Sequence, residues 1–288
     1  MPIIEIKQKV WEPELPDIEL PSEDGEPLES KWHHLQIHLL EDSLHQHWPD
    51  PTTYFVGGNM FVYYSFAQAR NRDYKGPDFF VVKGVDGSQI RPSWIVWQEG
   101  GRYPDLIIEL LSPITAAEDL GSKKDLYEQI FKTFEYFCVD PSDHSLQGWQ
   151  LAQGQYVPKP KDQRGWLWSD SLQVWLGFWE GVFQGTPDTW LRLINANGTL
   201  VLTGAERAEA ERHSAEAERQ RAEAERQRAE AERQRAEAEQ QRAEAEQQRA
   251  ETERQNAEAE RQRAETAESE VARLKAELER LRASADDT

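Results

Sequence analysis

The chain has 288 residues, with 53 acidic and 33 basic side chains, a net charge of −20, eleven tryptophans and a single cysteine. That acidity argues against a broad phosphate-binding surface, which would be basic, and Cys138 alone forms neither an intramolecular disulfide nor a cysteine zinc cage. No apolar run approaches the roughly 20 residues of a membrane helix and no basic-then-apolar leader opens the chain, so a soluble, cytoplasmic protein without membrane contact is expected.

Composition divides the chain near Gly204, since every tryptophan precedes it and a charged repeat follows. Three segments are expected: an irregular arm over 1–29, a folded domain over 30–204 and a long helix over 205–288. In the domain, Trp32, Leu35, Leu39, Leu40 and Leu44 keep helical spacing and predict a first helix from Ser30 to Trp48. It carries five histidines; His34 and His38, one turn apart, could share a metal face, although hydrogen-bonded or solvated histidines are commoner. Tyr54–Phe66 reads as a bent strand or strand pair around Gly57-Gly58, and Gln68–Gly76 as a polar connection. Asp86-Gly87 signals a hairpin turn and Ile90–Gln98 an edge excursion, with Glu99 as a possible accessory carboxylate.

The stretch from Gly76 to Asp140 reads as a site. Asp78 stands at the mouth of a buried strand, Phe79-Phe80-Val81-Val82, and Glu109 interrupts a second apolar run, Leu106–Leu111. Ionising Glu109 there costs several kcal/mol unless a cation or donor compensates. Ser122 and Asp125 resemble a capping box opening a helix, along which Lys123 stacks with Tyr127, Ile130 or Phe131, and Phe134 on the inward face. Two acids from adjacent strands and an inward lysine suit metal-assisted phosphodiester hydrolysis: the acids hold a hard cation and the lysine positions water or steadies charge. Arg70, Arg72, Lys75 and Lys83 cluster in sequence around Asp78 and could offset the acidity locally.

Pro77-Asp78, Glu109-Leu110-Leu111-Ser112-Pro113, Asp119 with Lys123 and Tyr127, Glu135-Tyr136 and Val139-Asp140-Pro141 follow one another in an order that resembles the Uma-type restriction endonuclease family, a branch of the PD-(D/E)xK nucleases. Gly58–Tyr64 and Trp97–Gly101 extend the resemblance, which spans about Ser22 to Gly204 and stops before the tail. It implies an α/β fold with a mixed sheet and a restriction endonuclease-like core, DNA as substrate, and Mg2+, or Mn2+ in its place. It makes Asp78 and Glu109 the metal ligands, with the Leu110 carbonyl as a third. The lysine expected two residues after the acid is Leu111 here, so Lys123 is its counterpart, ahead of Lys124. Related nucleases bring an acid from the first helix, for which Glu29 and Glu41 are the candidates. The competing readings are a catalytically silent nuclease fold that assembles through its tail, and a purely structural ion pair between Glu109 and Lys123.

Beyond the lysine helix, Tyr136–Asp140 reads as the next strand, so that strand, helix and strand make a crossover in a partly parallel sheet. Leu146–Leu151 and Gln155–Pro158 predict a hairpin around Gln153-Gly154, and Asn197-Gly198 a turn between Trp190–Ile194 and Thr199–Leu202. The aromatic run over Asp170–Glu180 has no clear period and suggests an outer apolar layer, with a stacking platform for single strands as the sharper reading. From Arg207 a heptad near Arg-Ala-Glu-Ala-Glu-Arg-Gln repeats, with 24 acidic and 17 basic residues over 205–288. It is a helix about 120 Å long at ~1.5 Å per residue. Glutamates at most d positions favour a solvated helix, whereas Val271, Leu274, Leu278 and Leu281 form a short terminal zipper that could pair two chains, as could the nuclease-like domain.

Overall fold

The computed structural model describes residues 30–71 and 76–285, and the chain forms two compact units, Met1–Glu209 and Ala210–Thr288. The expected arm over 1–29, with Glu29, and the basic residues Arg72 and Lys75 lie outside the described residues.

The first unit opens with α1 (Lys31–His47), capped by Ser30, whose Oγ accepts the His33 N–H. β1 (Tyr54–Gly58), β2 (Val62–Tyr63) and α2 (Phe66–Asn71) follow, then β3 (Phe79–Lys83), β4 (Trp94–Ile95) and β5 (Leu106–Leu110). A helical segment, Ala116–Phe131, crosses to β6 (Glu135–Asp140), and β7 (Ser145–Ala152) and β8 (Gln155–Pro158) return as the hairpin expected around Gln153-Gly154. Both of those turn residues have positive φ, 52° and 83°, the conformation a two-residue hairpin turn requires.

These strands make one six-stranded sheet in the order β1-β3-β5-β6-β7-β8, in which β5 and β6 run parallel and every other pair antiparallel. Both faces are covered, which is why β3 and β5 read as continuous apolar runs. Phe79, Val81, Leu106, Ile108 and Leu110 pack with Ile37, Leu40 and Leu44 of α1. Phe80, Val82, Ile107 and Leu111 pack with Tyr127 and Phe131 of the crossover segment. Burying each such side chain contributes about 2 kcal/mol. A second sheet, β9 (Leu167–Ser169), β10 (Val174–Phe183) and β11 (Thr186–Ile194), adds Leu176, Leu191 and Leu193 to the α1 side of the core.

Several expectations change. Asp86-Gly87 closes no hairpin: Asp86 accepts the Ser88 N–H and hydroxyl, and the chain continues to β4, which pairs in parallel with β2. The crossover segment does not open at Ser122. Ser112 Oγ accepts the N–H groups of Ile114 and Thr115, and helical turns begin at Ala116, so Ser122 and Asp125 lie inside the segment. It alternates short α turns (Ala116–Glu118, Lys124–Leu126) with π turns (Asp119–Lys123, Tyr127–Phe131) and ends at Lys132, φ 55°. Phe134 therefore lies beyond the helix, and Ile130 is exposed. The main outer hairpin joins β10 to β11 through Gln184-Gly185, with the Asn197-Gly198 turn beyond it, where Asn195 N–H donates to the Thr199 carbonyl.

The second unit consists of the helix α5 (Gly204–Ala285) beyond Glu209; its described side chains are exposed along the repeat, Val271, Leu274 and Leu278 included. Arg233 pairs with Glu237 at 3.0 Å and Arg261 with Glu265 at 3.7 Å, both at the four-residue offset.

Candidate functional site

The antiparallel register sets Phe79 opposite Ile108, so Asp78, one step outward, stands beside Glu109. Two cross-strand bonds fix that step: Asp78 N–H donates to Glu109 Oε2 at 3.1 Å, and Leu110 N–H donates to Asp78 Oδ2 at 2.7 Å. Glu109 shares a face with Ile107 and Leu111, under the crossover segment, and is wholly buried. From that segment Tyr127 donates its hydroxyl to Glu109 Oε1 at 2.9 Å. Lys123 Nζ lies 3.4 Å from the same oxygen and 2.7 Å from Asp119 Oδ1. The π turns bear on this arrangement: one ends at Lys123 and the next begins at Tyr127, and such turns recur at functional sites.

Three buried or half-buried acids, Asp78, Glu109 and Asp119, thus share one lysine. Burial pushes the Glu109 carboxyl well above its ordinary range against the pull of Lys123, and raises Asp78 against its bond from Leu110. For Lys123 burial acts to lower the ammonium, yet Glu109 and Asp119 hold it above its usual value. Burial and the neighbouring Glu109 raise the Tyr127 phenol, keeping it a donor.

Asp78 and Glu109 therefore come together with Lys123. Lys124 does not join them, since its ammonium lies over the Trp149 ring, 4.2 Å from the centroid. Glu99 is taken up by Arg91 at 2.6 and 3.2 Å and supplies no accessory carboxylate. Of the described members of the basic cluster, Lys83 bonds the Ser171 carbonyl from the other end of β3, and Arg70 is exposed on α2.

From α1 the residue reaching the site is His33, which the spacing of the helix did not single out. Its Nε2 lies 3.2 Å from the Leu110 carbonyl and its Nδ1 2.7 Å from Ser30 Oγ. Glu41 lies against Gly58, where a Cβ would meet its Oε1; the next residue, Asn59, donates its N–H to the Asp78 carbonyl. His34 and His38 are exposed, with His38 bonded to Gln184. Among the described residues no three His, Cys, Asp or Glu side chains gather as a metal cage.

The donor set fits a hard divalent ion held incompletely by protein. Magnesium takes one or two carboxylates and fills its remaining positions with water and substrate oxygens. Asp78, Glu109 and the Leu110 carbonyl offer oxygens only, and the surplus of acid over base is the charge such an ion would offset.

Among the described residues no helix is long and apolar enough to cross a membrane. No curated protein matches the chain. A solved structure from Anabaena variabilis, described as a putative nuclease belonging to DUF820, is similar at 16% identity and a TM-score of 0.37, over 55% of this chain and 86% of that one. The family described as "Uma2: Putative restriction endonuclease" matches residues 7–182, and the chain belongs to it.

Proposed function

We propose that the protein is a divalent-metal-dependent endodeoxyribonuclease using Mg2+, with Mn2+ as a substitute. The observation that carries this reading is the pairing of Asp78 with Glu109 across β3 and β5, with Lys123 brought to Glu109 by the crossover segment. Membership of the nuclease family supports DNA as the substrate. Asp78, Glu109 and the Leu110 carbonyl would hold the ion, which when bound polarises a phosphate and activates water. The Lys123 ammonium, between two carboxylates, donates to the water or to a phosphate oxygen and steadies charge as the bond breaks. Tyr127 and Asp119 keep Glu109 and Lys123 in register with each other.

The test is cleavage of supercoiled, linear and single-stranded DNA by the full chain with Mg2+ or Mn2+, beside Asp78→Ala, Glu109→Ala and Lys123→Ala. Loss of divalent-dependent cleavage in the acid variants, and a fall of about 10²–10³-fold for the lysine variant, is expected. Cleavage undiminished by Glu109→Ala would overturn the assignment. A second reading, a catalytically silent nuclease fold, draws on the complete burial of Glu109, both of whose oxygens accept protein donors. A folded wild type that neither cleaves DNA nor binds Mn2+ would favour it.

A further inference from the structure

The four acceptor positions of the Glu109 carboxylate are used unequally. Oε1 takes the Tyr127 hydroxyl and faces the Lys123 ammonium, whereas Oε2 takes the Asp78 N–H, and the Asp78 carboxyl is itself in hydrogen-bond contact with Glu109. The donors from the crossover segment thus fall on Oε1, and Oε2 is the oxygen on the side of the neighbouring strand that carries Asp78. On Asp78, Leu110 N–H engages Oδ2.

A glutamate side chain has three rotatable bonds, and nothing in β5 itself decides which oxygen turns outward. The Tyr127 ring does decide it. It is wholly buried, packed against Phe131 at 5.1 Å and Tyr136 at 5.4 Å between centroids. Its hydroxyl is therefore a fixed donor. We infer that Tyr127 is a positioning residue that ties Glu109 Oε1 to the crossover segment and so presents Oε2, beside Asp78, to the divalent cation. The inference rests on the metal reading given above.

Its neighbour supplies the control. Tyr136 is equally buried on the same face and donates its hydroxyl at 2.7 Å, but to the Asp119 carbonyl rather than to Glu109. Tyr127→Phe and Tyr136→Phe each delete one buried, bonded hydroxyl and keep the ring packing. Only the first removes a donor from Glu109.

The experiment titrates Mn2+ into the full chain and follows free Mn2+ by electron paramagnetic resonance, with folding of each variant checked by tryptophan fluorescence. Wild type and Tyr136→Phe should bind alike, Glu109→Gln should lose the site, and Tyr127→Phe should bind about tenfold more weakly, the usual effect of removing a partner of a metal ligand. Equal affinity in Tyr127→Phe and wild type overturns the inference while leaving the metal site standing. An equal loss in Tyr136→Phe also overturns it, because the effect would then be general loosening of the core. A wild type without Mn2+ binding, or binding indifferent to Glu109→Gln, overturns the metal reading and this inference with it.

Discussion

Glu109 and Glu135 are both wholly buried carboxylates, on neighbouring parallel strands, yet their surroundings differ in kind. Glu135 is saturated: Oε1 takes Lys159 Nζ at 2.6 Å and Asp170 N–H at 2.9 Å, and Oε2 takes the Ser169 hydroxyl at 2.7 Å and Ser171 N–H at 2.9 Å. Such an acid holds β9 and its flanking loop to β6, and deleting its cation strands a buried charge. Lys159→Met is expected to destabilise the domain by about 3 kcal/mol in denaturant titrations. Glu109 instead shares its lysine with Asp119 and lies against a second acid, Asp78, so Glu109→Gln should leave stability unchanged or raise it by about 1 kcal/mol, as functional residues often do when removed. A loss for Glu109→Gln as large as that for Lys159→Met would mark Glu109 as structural. As candidates, Glu109 was legible in the sequence because a charge inside an apolar run breaks a visible pattern, Asp78 as an acid at a strand mouth, and Lys123 as a lysine on an apolar helix face. His33 was not, since it meets the Leu110 carbonyl only through the packing of α1 on the sheet.

At the scale of elements, the strands of the sheet and the parallel step from β5 to β6 were readable, because period, turn residues and an intervening helix all agree. The crossover segment was misjudged at its start, since Ser112 rather than Ser122 bonds the backbone ahead of it, and its π turns have no signature in a 3.6-residue period. The β10–β11 hairpin escaped because Gln184, with φ 47°, stands where asparagine would advertise the turn. The start of α5 carries a reciprocal cap that spacing also concealed. Thr203 N–H donates to Glu206 Oε2, Glu206 N–H donates to Thr203 Oγ1, and the buried Arg192 pairs with Glu206 at 2.7 Å. Burial acts to raise the Glu206 carboxyl, but the Arg192 and Thr203 bonds outweigh it and hold the group below its ordinary 4.5. A carboxylate with a lowered folded pKa lends stability above its unfolded value and loses it as pH falls through the folded one. Glu206→Gln should therefore melt below wild type at pH 7, and the gap should narrow as the pH falls below the group's ordinary 4.5 and close below its lowered folded value. Tryptophan fluorescence melts at the two pH values measure it, and a gap that persists unchanged in acid would count against the pairing.

At the scale of the whole chain, the two units differ in what stabilises them, and the sequence happens to label them separately. All eleven tryptophans precede Gly204, so their fluorescence reports only the domain, whereas the 82 residues of α5 dominate the helical circular dichroism. The domain buries cores on both faces of its sheet and should unfold in one sharp step. The described side chains of the repeat are exposed; four-residue ion pairs such as Arg233–Glu237 add only a few tenths of a kcal/mol each, so it should lose helix gradually, from the end inward. Among the described residues of the repeat, Val271, Leu274 and Leu278 form the exposed apolar stripe that would bring two tails together. Each of the three is already about half covered, so burying the remainder on both chains gains about 1 kcal/mol apiece, roughly 6 kcal/mol in all, which against an association cost of about 4–15 kcal/mol or more leaves far less than the roughly 8 kcal/mol that micromolar pairing requires. Pairing through this stripe alone should therefore be absent at micromolar concentration. The expected result is a broad ellipticity melt whose midpoint does not move between 2 and about 50 μM chain, beside a sharp fluorescence melt at a different temperature. A midpoint that climbs with concentration would instead show that the leucine stripe is covered by a second chain, and would make the tail the assembling element of the molecule.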